Sequence, residues 1–460
     1  MDNTRLRAGV AREVISPPKG IYLIGYGDRA KGNAGVHDDL TATALVLDDG
    51  QERLALVACD LLCLNEFVVD RVQAQVGEET PVVICCSHTH AGPIAYADHR
   101  SSRARRAYVN TLVGRIAHAV RRAASALVPV DLAWGQAETD IAVNRRERRP
   151  DGEVVIGVNA RGPTDRSVGV LSVRAADSVR AADSVGAADG ISAADSAPLA
   201  TVVNFACHGT VLGPGNLLVS ADWIGTMRPR VERALGGLTL FLQGAAGDLN
   251  PDHEWGEGDP WEAVQSLGER VADRVIAAYR GGLSPLVGVP LRLDRLEVWL
   301  PLEAKAITPT PLPAYRRVLT EVAGLPYALR FIVDILLEYR YPWRSRVEAR
   351  EGVWHVPLRI NGMRVGDLGL VTFAAETLTK IGMAVKAASP AAVTMFASVS
   401  DGCIGYLPTA EAHAQGGYEV DVTPFFYRYP ARLASECAQI ATDAATQELH
   451  GLWNPEPCEG

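Results

Sequence analysis

The feature that most constrains the fold of this chain is a short apolar run that stops abruptly at two histidines. Residues 82–86 are all valine, isoleucine or cysteine, and a Ser-His-Thr-His segment with His88 and His90 follows before a Gly-Pro turn. The pattern predicts a buried strand that ends in a loop. In open α/β sheets, such loops bind ligands and metals because the rigid sheet holds them open to solvent. A lone His-x-His pair is also found where two polar residues simply begin a loop.

The same pattern is repeated further along the chain. His208, Glu376 and Tyr406 each come at or shortly after the end of a predicted apolar strand. These strands are predicted at residues 199–207, 366–375 and 393–399. If one sheet edge gathers the polar residues, two imidazoles and a carboxylate form a normal catalytic zinc set with room for water. The alternative is that these strands end in polar residues for no functional reason.

Strand and helix signals alternate through the chain. A turn at residues 48–50 predicts a β-hairpin, and residues 130–143 predict one strand that Asn144 and Arg145 close. Helices are predicted after Ser102, which can cap one, and after Asp259, which precedes a proline at the first helical position. We therefore predict an α/β fold of mixed β-sheets flanked by helices. Residues 1–450 are predicted to form one domain, with 451–460 as a tail.

The composition is that of an ordinary globular protein of 460 residues, with 48% hydrophobic and 22% charged residues. The net charge of −9 argues against nucleic acid as a partner, because phosphate binding needs a basic surface. Residues 1–20 lack the apolar core of a signal peptide, and no later window approaches the ~18 apolar residues of a membrane span. We expect a cytoplasmic protein without integral membrane contact. Its eight scattered cysteines are typical of reduced thiols.

Two segments differ from the rest of the chain. Residues 174–198 repeat Ala-Ala-Asp four times and are too polar to bury a core, so we interpret them as a low-complexity insertion in a hairpin loop. Residues 301–345 begin rich in proline and continue into a run rich in leucine and aromatic residues. They fit a lid, an entrance wall, a subunit contact in a homo-oligomer, or a plain core helix.

Several ordered motifs resemble the neutral/alkaline non-lysosomal ceramidase family, and the likeness covers nearly the whole chain. Residues 9–28 resemble the family's opening segment, and Ser87-His88-Thr89-His90 with the following Ala-Gly-Pro resembles its Ser-His-Thr-His-Ser-Gly-Pro motif. The other similar segments are Asn144-Arg145, Asn204 to His208 with Ser220-Ala221-Asp222, Ala375-Glu376, and Gly405 to Thr409. Ordered motifs at compatible spacing are more specific than any one of them.

The resemblance implies a ceramidase-like amidohydrolase that cleaves an N-acyl amide. It implies one zinc per chain, held by His88, His208, Glu376 and Tyr406, with His90 and Arg145 lining the pocket. Zinc lowers the pKa of a bound water from ~15.7 towards ~7 and polarises the acyl oxygen. His90 is then expected to pass a proton to the leaving amine, and Tyr406 or Arg145 to stabilise the oxyanion.

Two departures limit what the resemblance implies. Asn250 stands where the family has its active-site serine, and Gly460 comes soon after the last motif, so we expect no counterpart of the family's C-terminal β-sandwich domain. We therefore expect the metal to be kept and the substrate to be a small or lipid-like acyl molecule other than a sphingolipid. Asp60, Asp222 and Asn250 are further candidates to contact the substrate or to support the metal ligands; Asp60 is equally a candidate helix cap.

Two alternatives remain open at this stage. An esterase or lactonase can use the same zinc site, because an activated water attacks either bond. A non-catalytic binding protein can also keep the fold, and metal content distinguishes it.

Overall fold

The computed structural model describes residues 5–26, 29, 31–99, 101–176, 197–253, 258–303 and 346–454. Its strands, in chain order, are β1 (Arg7–Val14), β2 (Gly35–Val36), β3 (Thr41–Asp48), β4 (Arg53–Cys59), β5 (Val82–Cys86), β6 (Val128–Glu138), β7 (Ala142–Arg148), β8 (Val154–Asn159), β9 (Ser167–Ala175), β10 (Ala200–Phe205), β11 (Leu218–Val219), β12 (Leu238–Gln243), β13 (Leu249–Pro251), β14 (Ser284–Leu286), β15 (Leu291–Pro301), β16 (Glu348–Arg350), β17 (Val353–Val365), β18 (Leu368–Phe373), β19 (Glu376–Thr377), β20 (Val393–Ala397) and β21 (Tyr406–Leu407). Its helices are α1 (Glu66–Val76), α2 (Arg103–Ala124), α3 (Trp223–Leu235), α4 (Pro260–Arg280), α5 (Thr379–Ala388), α6 (Ala410–Gln415), a π-helical turn (Tyr418–Val422), α7 (Thr423–Phe426) and α8 (Cys437–Trp453).

The larger sheet has the strand order β12-β10-β9-β6-β1-β3-β4-β5, with β14 paired to β6. It is mixed: β10 pairs with β12 and β4 with β5 in parallel, whereas the other pairs are antiparallel. The predicted hairpin is confirmed, because β3 and β4 pair antiparallel around residues 48–50. β9 and β10 also pair antiparallel, as expected for strands on either side of a hairpin insertion.

A second sheet, in the order β15-β17-β18-β20, faces the larger one. The two sheets share an apolar core, in which Leu56 and Leu171 of the larger sheet belong to one cluster with Met363, Leu370 and Met395 of the smaller. Helices α1 and α2 pack on one part of the larger sheet, α3 and α4 on another, and α5 and α8 on the second sheet. The prediction of mixed sheets flanked by helices is confirmed.

The predicted helix caps are also confirmed. Ser102 caps α2 by accepting from Arg105 N, and Asp259 caps α4 by accepting from Trp261 N, with Pro260 at the first helical position. The last helix continues to Trp453. None of the described helices combines the length and the apolar composition that crossing a bilayer requires.

Two sequence predictions about strands were wrong. The strand predicted over residues 130–143 is divided into β6 and β7, so Asn144 and Arg145 lie inside β7 and do not close a strand. The break lies at Thr139 and Asp140, where Thr139 N bonds to Arg166 O and the Asp140 carboxylate bonds to a helix side chain. Because Thr139 and Asp140 bond to these groups and not to a neighbouring strand, the strand is interrupted here.

The expectation that one sheet edge gathers the polar residues was also wrong. His88 follows β5 at one end of the larger sheet, His208 follows β10 near the opposite end, and Glu376 follows β18 of the second sheet. Their loops meet through two isolated bridges: Thr89 to Gly209 joins the loops after β5 and β10, and Cys85 to Ser400 joins β5 to the segment after β20 of the second sheet. Most of each unusual segment lies outside the described residues: 177–196 of the segment 174–198, and 304–345 of the segment 301–345.

Candidate metal centre

His88 and His208 point their Nε2 atoms at each other from loops on two different strands. The Nδ1 of His88 lies 2.8 Å from Leu62 O, and the Nδ1 of His208 lies 2.8 Å from Leu249 O. Because a carbonyl oxygen only accepts, each Nδ1 carries a proton, so the lone pair of each imidazole lies on Nε2. The two Nε2 atoms are 3.1 Å apart. Backbone carbonyls behind metal-ligating histidines fix the tautomer in this way in metalloproteins generally.

Glu376 brings a third lone-pair atom to the same point. Its Oε2 lies 3.2 Å from His88 Nε2 and 3.7 Å from His208 Nε2. Burial by itself raises the pKa of Glu376, but the adjacent His88 and His208 lower it by a larger amount. The net pKa lies well below the usual value, so the group is a carboxylate. Burial, and then the charge of Arg145, lower the pKa of His208 to about 4, so that ring is neutral at pH 7. Three buried acceptors therefore face one another, an arrangement that a cation stabilises.

The three distances fit a tetrahedral metal ion. Ligand atoms on a tetrahedral zinc with bonds of about 2.0–2.2 Å lie roughly 3.3–3.6 Å from one another. The observed separations of 3.1, 3.2 and 3.7 Å bracket that range. Two histidines and a carboxylate are also a known catalytic zinc set. The residues present therefore fit the metal that the sequence resemblance implies.

His90 completes a cluster of three histidines but stands further from the meeting point. Its ring centroid is 5.0 Å from that of His88 and 5.5 Å from that of His208, compared with 4.6 Å between His88 and His208. Nitrogen atoms of the three rings lie within 4.8 Å of one another, so a three-histidine site is also geometrically possible. We favour Glu376 as the third ligand because its oxygen is closer to both Nε2 atoms.

The surroundings of His90 hold its ring without bonding to it. In the described part of the chain, both ring nitrogens are buried without a hydrogen-bond partner. Tyr26 packs against the ring at 5.0 Å, and a Cβ added at Gly25, where φ is +112°, would lie 2.6 Å from His90 Nδ1. Burial, followed by the proximity of His88 and His208, lowers the pKa of His90 well below its usual value. His90 is therefore a neutral imidazole beside the cluster.

Two tyrosines approach Glu376, one from the short strand β21 and one from the turn that follows α7. Tyr406 pairs with Glu376 in the short parallel ladder of β19 and β21. Burial raises the pKa of the Tyr406 phenol well above its usual value, while the nearby Arg145 lowers it and Glu376 raises it. Tyr427 donates its hydroxyl to Glu376 Oε1 at 3.0 Å. The carboxylate thus has one oxygen held by Tyr427 and the other turned towards the histidines.

Arg145 lies next to Tyr406 and is buried, with 4% of its surface exposed. Its Cζ atom is 5.4 Å from the Tyr406 ring centroid and 5.8 Å from that of Tyr418. Its Nε donates to Glu419 at 3.0 Å and its Nη1 to Asn250 Oδ1 at 3.3 Å. The Arg145 guanidinium is therefore held beside the histidine cluster, and Asn250, at the family's serine position, is one of its partners.

Asp222 and Asp60, the other two predicted site residues, have different surroundings. Asp222 caps α3 and accepts from the backbone of Leu212, and α3 begins with Trp223, whose indole donates to His208 O at 3.0 Å. Asp222 and Trp223 together therefore hold the loop that carries His208. Burial raises the pKa of Asp222 to about 6. Asp60 forms a buried ion pair with Arg228 at 2.7 Å and is neither a helix cap nor part of the histidine cluster.

Tyr427 and Glu419 are site residues that the sequence did not indicate. Both lie in loops or short turns near the C-terminal end, without an apolar strand in front of them. A buried arginine implies a carboxylate partner, but the sequence does not identify which of many acidic residues supplies it.

Comparison with known proteins supports the sequence resemblance. Residues 7–149 match the family model described as neutral/alkaline non-lysosomal ceramidase, N-terminal. A neutral ceramidase of Mycobacterium tuberculosis is 26% identical over 261 residues, which cover 50% of this chain and 38% of that protein. The match therefore spans well under half of the relative's length.

Two solved structures share the fold. The crystal structure of neutral ceramidase from Pseudomonas aeruginosa has a TM-score of 0.71 and 19% identity, covering 100% of this chain and 76% of its own. A ceramidase complexed with C2 has a TM-score of 0.71 and 20% identity, covering 99% and 76%. The chain is thus related to the neutral/alkaline non-lysosomal ceramidases through its N-terminal segment, and it has the neutral ceramidase fold along its whole length.

Proposed function

We propose that this protein is a zinc-dependent hydrolase that cleaves an N-acyl amide bond of a small or lipid-like molecule. The observation that carries the proposal is the meeting of three lone-pair atoms, His88 Nε2, His208 Nε2 and Glu376 Oε2, at separations of 3.1–3.7 Å. The relationship to neutral ceramidases supports an amide as the bond that is cleaved.

His88, His208 and Glu376 would hold the zinc, with Tyr406 as the fourth protein group. A zinc ion bound there supplies a Lewis acid that activates water at neutral pH and polarises the acyl oxygen. The Nδ1 protons of both histidines, donated to Leu62 O and Leu249 O, keep each Nε2 available for that role.

His90 is the proton carrier in this proposal. Its ring is neutral and neither nitrogen is bonded within the described residues, so it has a lone pair to accept the proton of the attacking water. The resulting imidazolium then protonates the nitrogen of the leaving amine as the C–N bond breaks. Tyr26 and Gly25 pack against the ring and limit its movement.

Arg145 and Tyr406 stabilise the negative charge that develops on the acyl oxygen. The guanidinium is buried beside the Tyr406 phenol, and a buried donor interacts with an oxyanion more strongly than a hydrated one. Asn250 accepts from Arg145 where the family has a serine, so it offers an amide instead of a hydroxyl to the substrate. We therefore propose that the leaving amine differs from that of a sphingolipid.

Metal analysis of the purified protein is the first test. We expect about one zinc per chain in the wild type, and strongly reduced zinc in His88→Ala, His208→Ala and Glu376→Gln. The control is His118→Ala, because His118 is an exposed histidine that pairs with Glu13 away from the cluster. A wild-type protein that takes up no zinc on reconstitution would contradict the proposal.

A substrate panel is the second test. Matched N-acyl amides, acyl esters and lactones, with ceramide included, separate amidase from esterase or lactonase activity. We expect His90→Ala and Arg145→Ala to lower kcat while zinc is retained. Loss of zinc in His90→Ala would instead identify His90 as a ligand and support the three-histidine arrangement. Zinc binding without hydrolysis of any panel member would favour a non-catalytic binding protein.

A further inference from the structure

Two neighbouring arginines of β7 reach the same buried carboxylate. Arg145 Nε donates to Glu419 Oε1 at 3.0 Å, and Arg146 Nη1 donates to Glu419 Oε2 at 2.5 Å. Successive side chains of a regular strand point to opposite faces, so adjacent residues do not normally share a partner. The pairing of β7 with β8 shifts register between Asn144 and Arg146. A bulge of this kind re-aims a side chain, and here it brings both guanidinium groups to one side.

Glu419 is fixed by the turn that carries it. It lies in the π-helical turn Tyr418–Val422 and is 2% exposed. Thr423 donates its hydroxyl to Glu419 O at 2.9 Å, and Arg146 also donates to Gly416 O at 2.7 Å. The carboxylate therefore has little freedom to move. π-Helical turns are common at functional sites.

This anchoring determines which atoms of Arg145 remain available. Its Nε is occupied by Glu419, and its Nη1 is directed at Asn250 Oδ1. In the described part of the chain, its Nη2 is buried without a hydrogen bond of normal geometry, and the guanidinium interacts with the Tyr406 hydroxyl, the other group assigned to the oxyanion. A guanidinium is planar, so fixing Nε and Nη1 also fixes the direction of Nη2. An unpartnered buried donor is costly unless a ligand supplies the acceptor.

We infer that Glu419 is a positioning residue that orients the Arg145 guanidinium for the reacting acyl oxygen. This inference rests on the proposed hydrolase function, because the oriented donor is the one assigned to the oxyanion. Glu419 itself contacts neither the metal ligands nor the substrate in this scheme. Its contribution passes through Arg145 and leaves metal binding unchanged.

A double-mutant cycle tests the inference on the full chain loaded with zinc. In Glu419→Gln we expect kcat to fall about 10- to 100-fold, since a small misplacement of a catalytic group can cost that much. We expect unchanged zinc content and a smaller change in KM. In an Arg145→Met background the same Glu419→Gln change should lower kcat no further, because the group it orients is absent.

The control is Glu232→Gln. Glu232 also binds an arginine with both oxygens, to Arg12 at 2.6 and 3.0 Å, and it lies at the C-terminal end of α3. We expect it to lower Tm with kcat unchanged. Should Glu419→Gln not fold, Glu419→Asp keeps the charge with a shorter reach and should lower kcat at near wild-type Tm and zinc content.

The outcomes separate the two proposals. If the wild type hydrolyses an acyl substrate and the Glu419 variants retain its kcat, or if Glu419→Gln lowers kcat equally with and without Arg145, the positioning role is overturned while the hydrolase function stands. If the zinc-loaded wild type hydrolyses nothing, the proposed function fails and the positioning role fails with it.

Discussion

Replacing Tyr427 by phenylalanine removes a hydroxyl that is not itself a proposed zinc ligand but bonds to one of them, Glu376. The hydroxyl donates to Glu376 Oε1 at 3.0 Å, while Glu376 Oε2 faces the two histidines. Burial raises the pKa of the Tyr427 phenol well above its usual value, so it remains a neutral donor. We expect Tyr427→Phe to weaken zinc binding without changing the fold.

The size of the effect follows from the kind of hydrogen bond that is lost. A hydrogen bond to a charged group contributes about 1.5–3 kcal/mol. Loss of an outer partner of a metal ligand typically weakens metal binding about 10- to 100-fold, which corresponds to about 1.4–2.7 kcal/mol. The two ranges agree, so the dissociation constant for zinc should rise by about one to two orders of magnitude.

Chelator competition at pH 7.5 measures this change. The matched control is Tyr429→Phe, because Tyr429 is buried in the same apolar cluster and donates to the neutral Ile404 carbonyl at 2.6 Å. We expect Tyr429→Phe to lower Tm with the zinc affinity kept. If Tyr427→Phe binds zinc within twofold of the wild type, or if the two variants weaken it equally, the reasoning about Glu376 is wrong.

Two further predictions concern stability. Asp60→Ala leaves the buried Arg228 without its counter-ion and should lower the free energy of unfolding by about 3–5 kcal/mol, whereas Asp140→Ala, in an exposed pair, should cost less than about 1 kcal/mol; urea unfolding measures both. Burial by itself raises the pKa of Asp165, but Lys386 and Ser167 lower it by a larger amount. Its folded pKa therefore lies below the unfolded value of about 3.9. Its stabilisation is therefore present above about pH 4 and lost as pH falls through the folded pKa. The Tm difference between wild type and Asp165→Asn should be largest near pH 7 and close towards pH 3; a gap that widens in acid would contradict this assignment.

Local patterns in the sequence were sufficient to predict the elements that carry the site. The apolar run before His88 forms β5, the run before His208 contains β10, and Ser102 and Asp259 cap their helices. These signals depend only on neighbouring residues, because strand burial and helix capping are decided within a few positions.

The assembly of the site was not predictable in the same way. His88, His208 and Glu376 do meet, but through bridges between loops of distant strands and not along one edge. Tyr427 reaches Glu376 across 51 positions, and Glu419 reaches Arg145 across 274. Contacts at such separations depend on sheet packing and loop paths, which leave no periodic signature in the sequence.

The origin of the ligands in two sheets has a consequence for the lifetime of the protein. His88 and His208 lie 120 positions apart, and Glu376 comes from the opposite layer, so an ion bound by all three acts as a cross-link between separate parts of the chain. Because the unfolded chain does not preserve this meeting point, free zinc would shift the folding equilibrium towards the folded state by mass action. Zinc supply would then govern how long each molecule survives proteolysis as well as how fast it works.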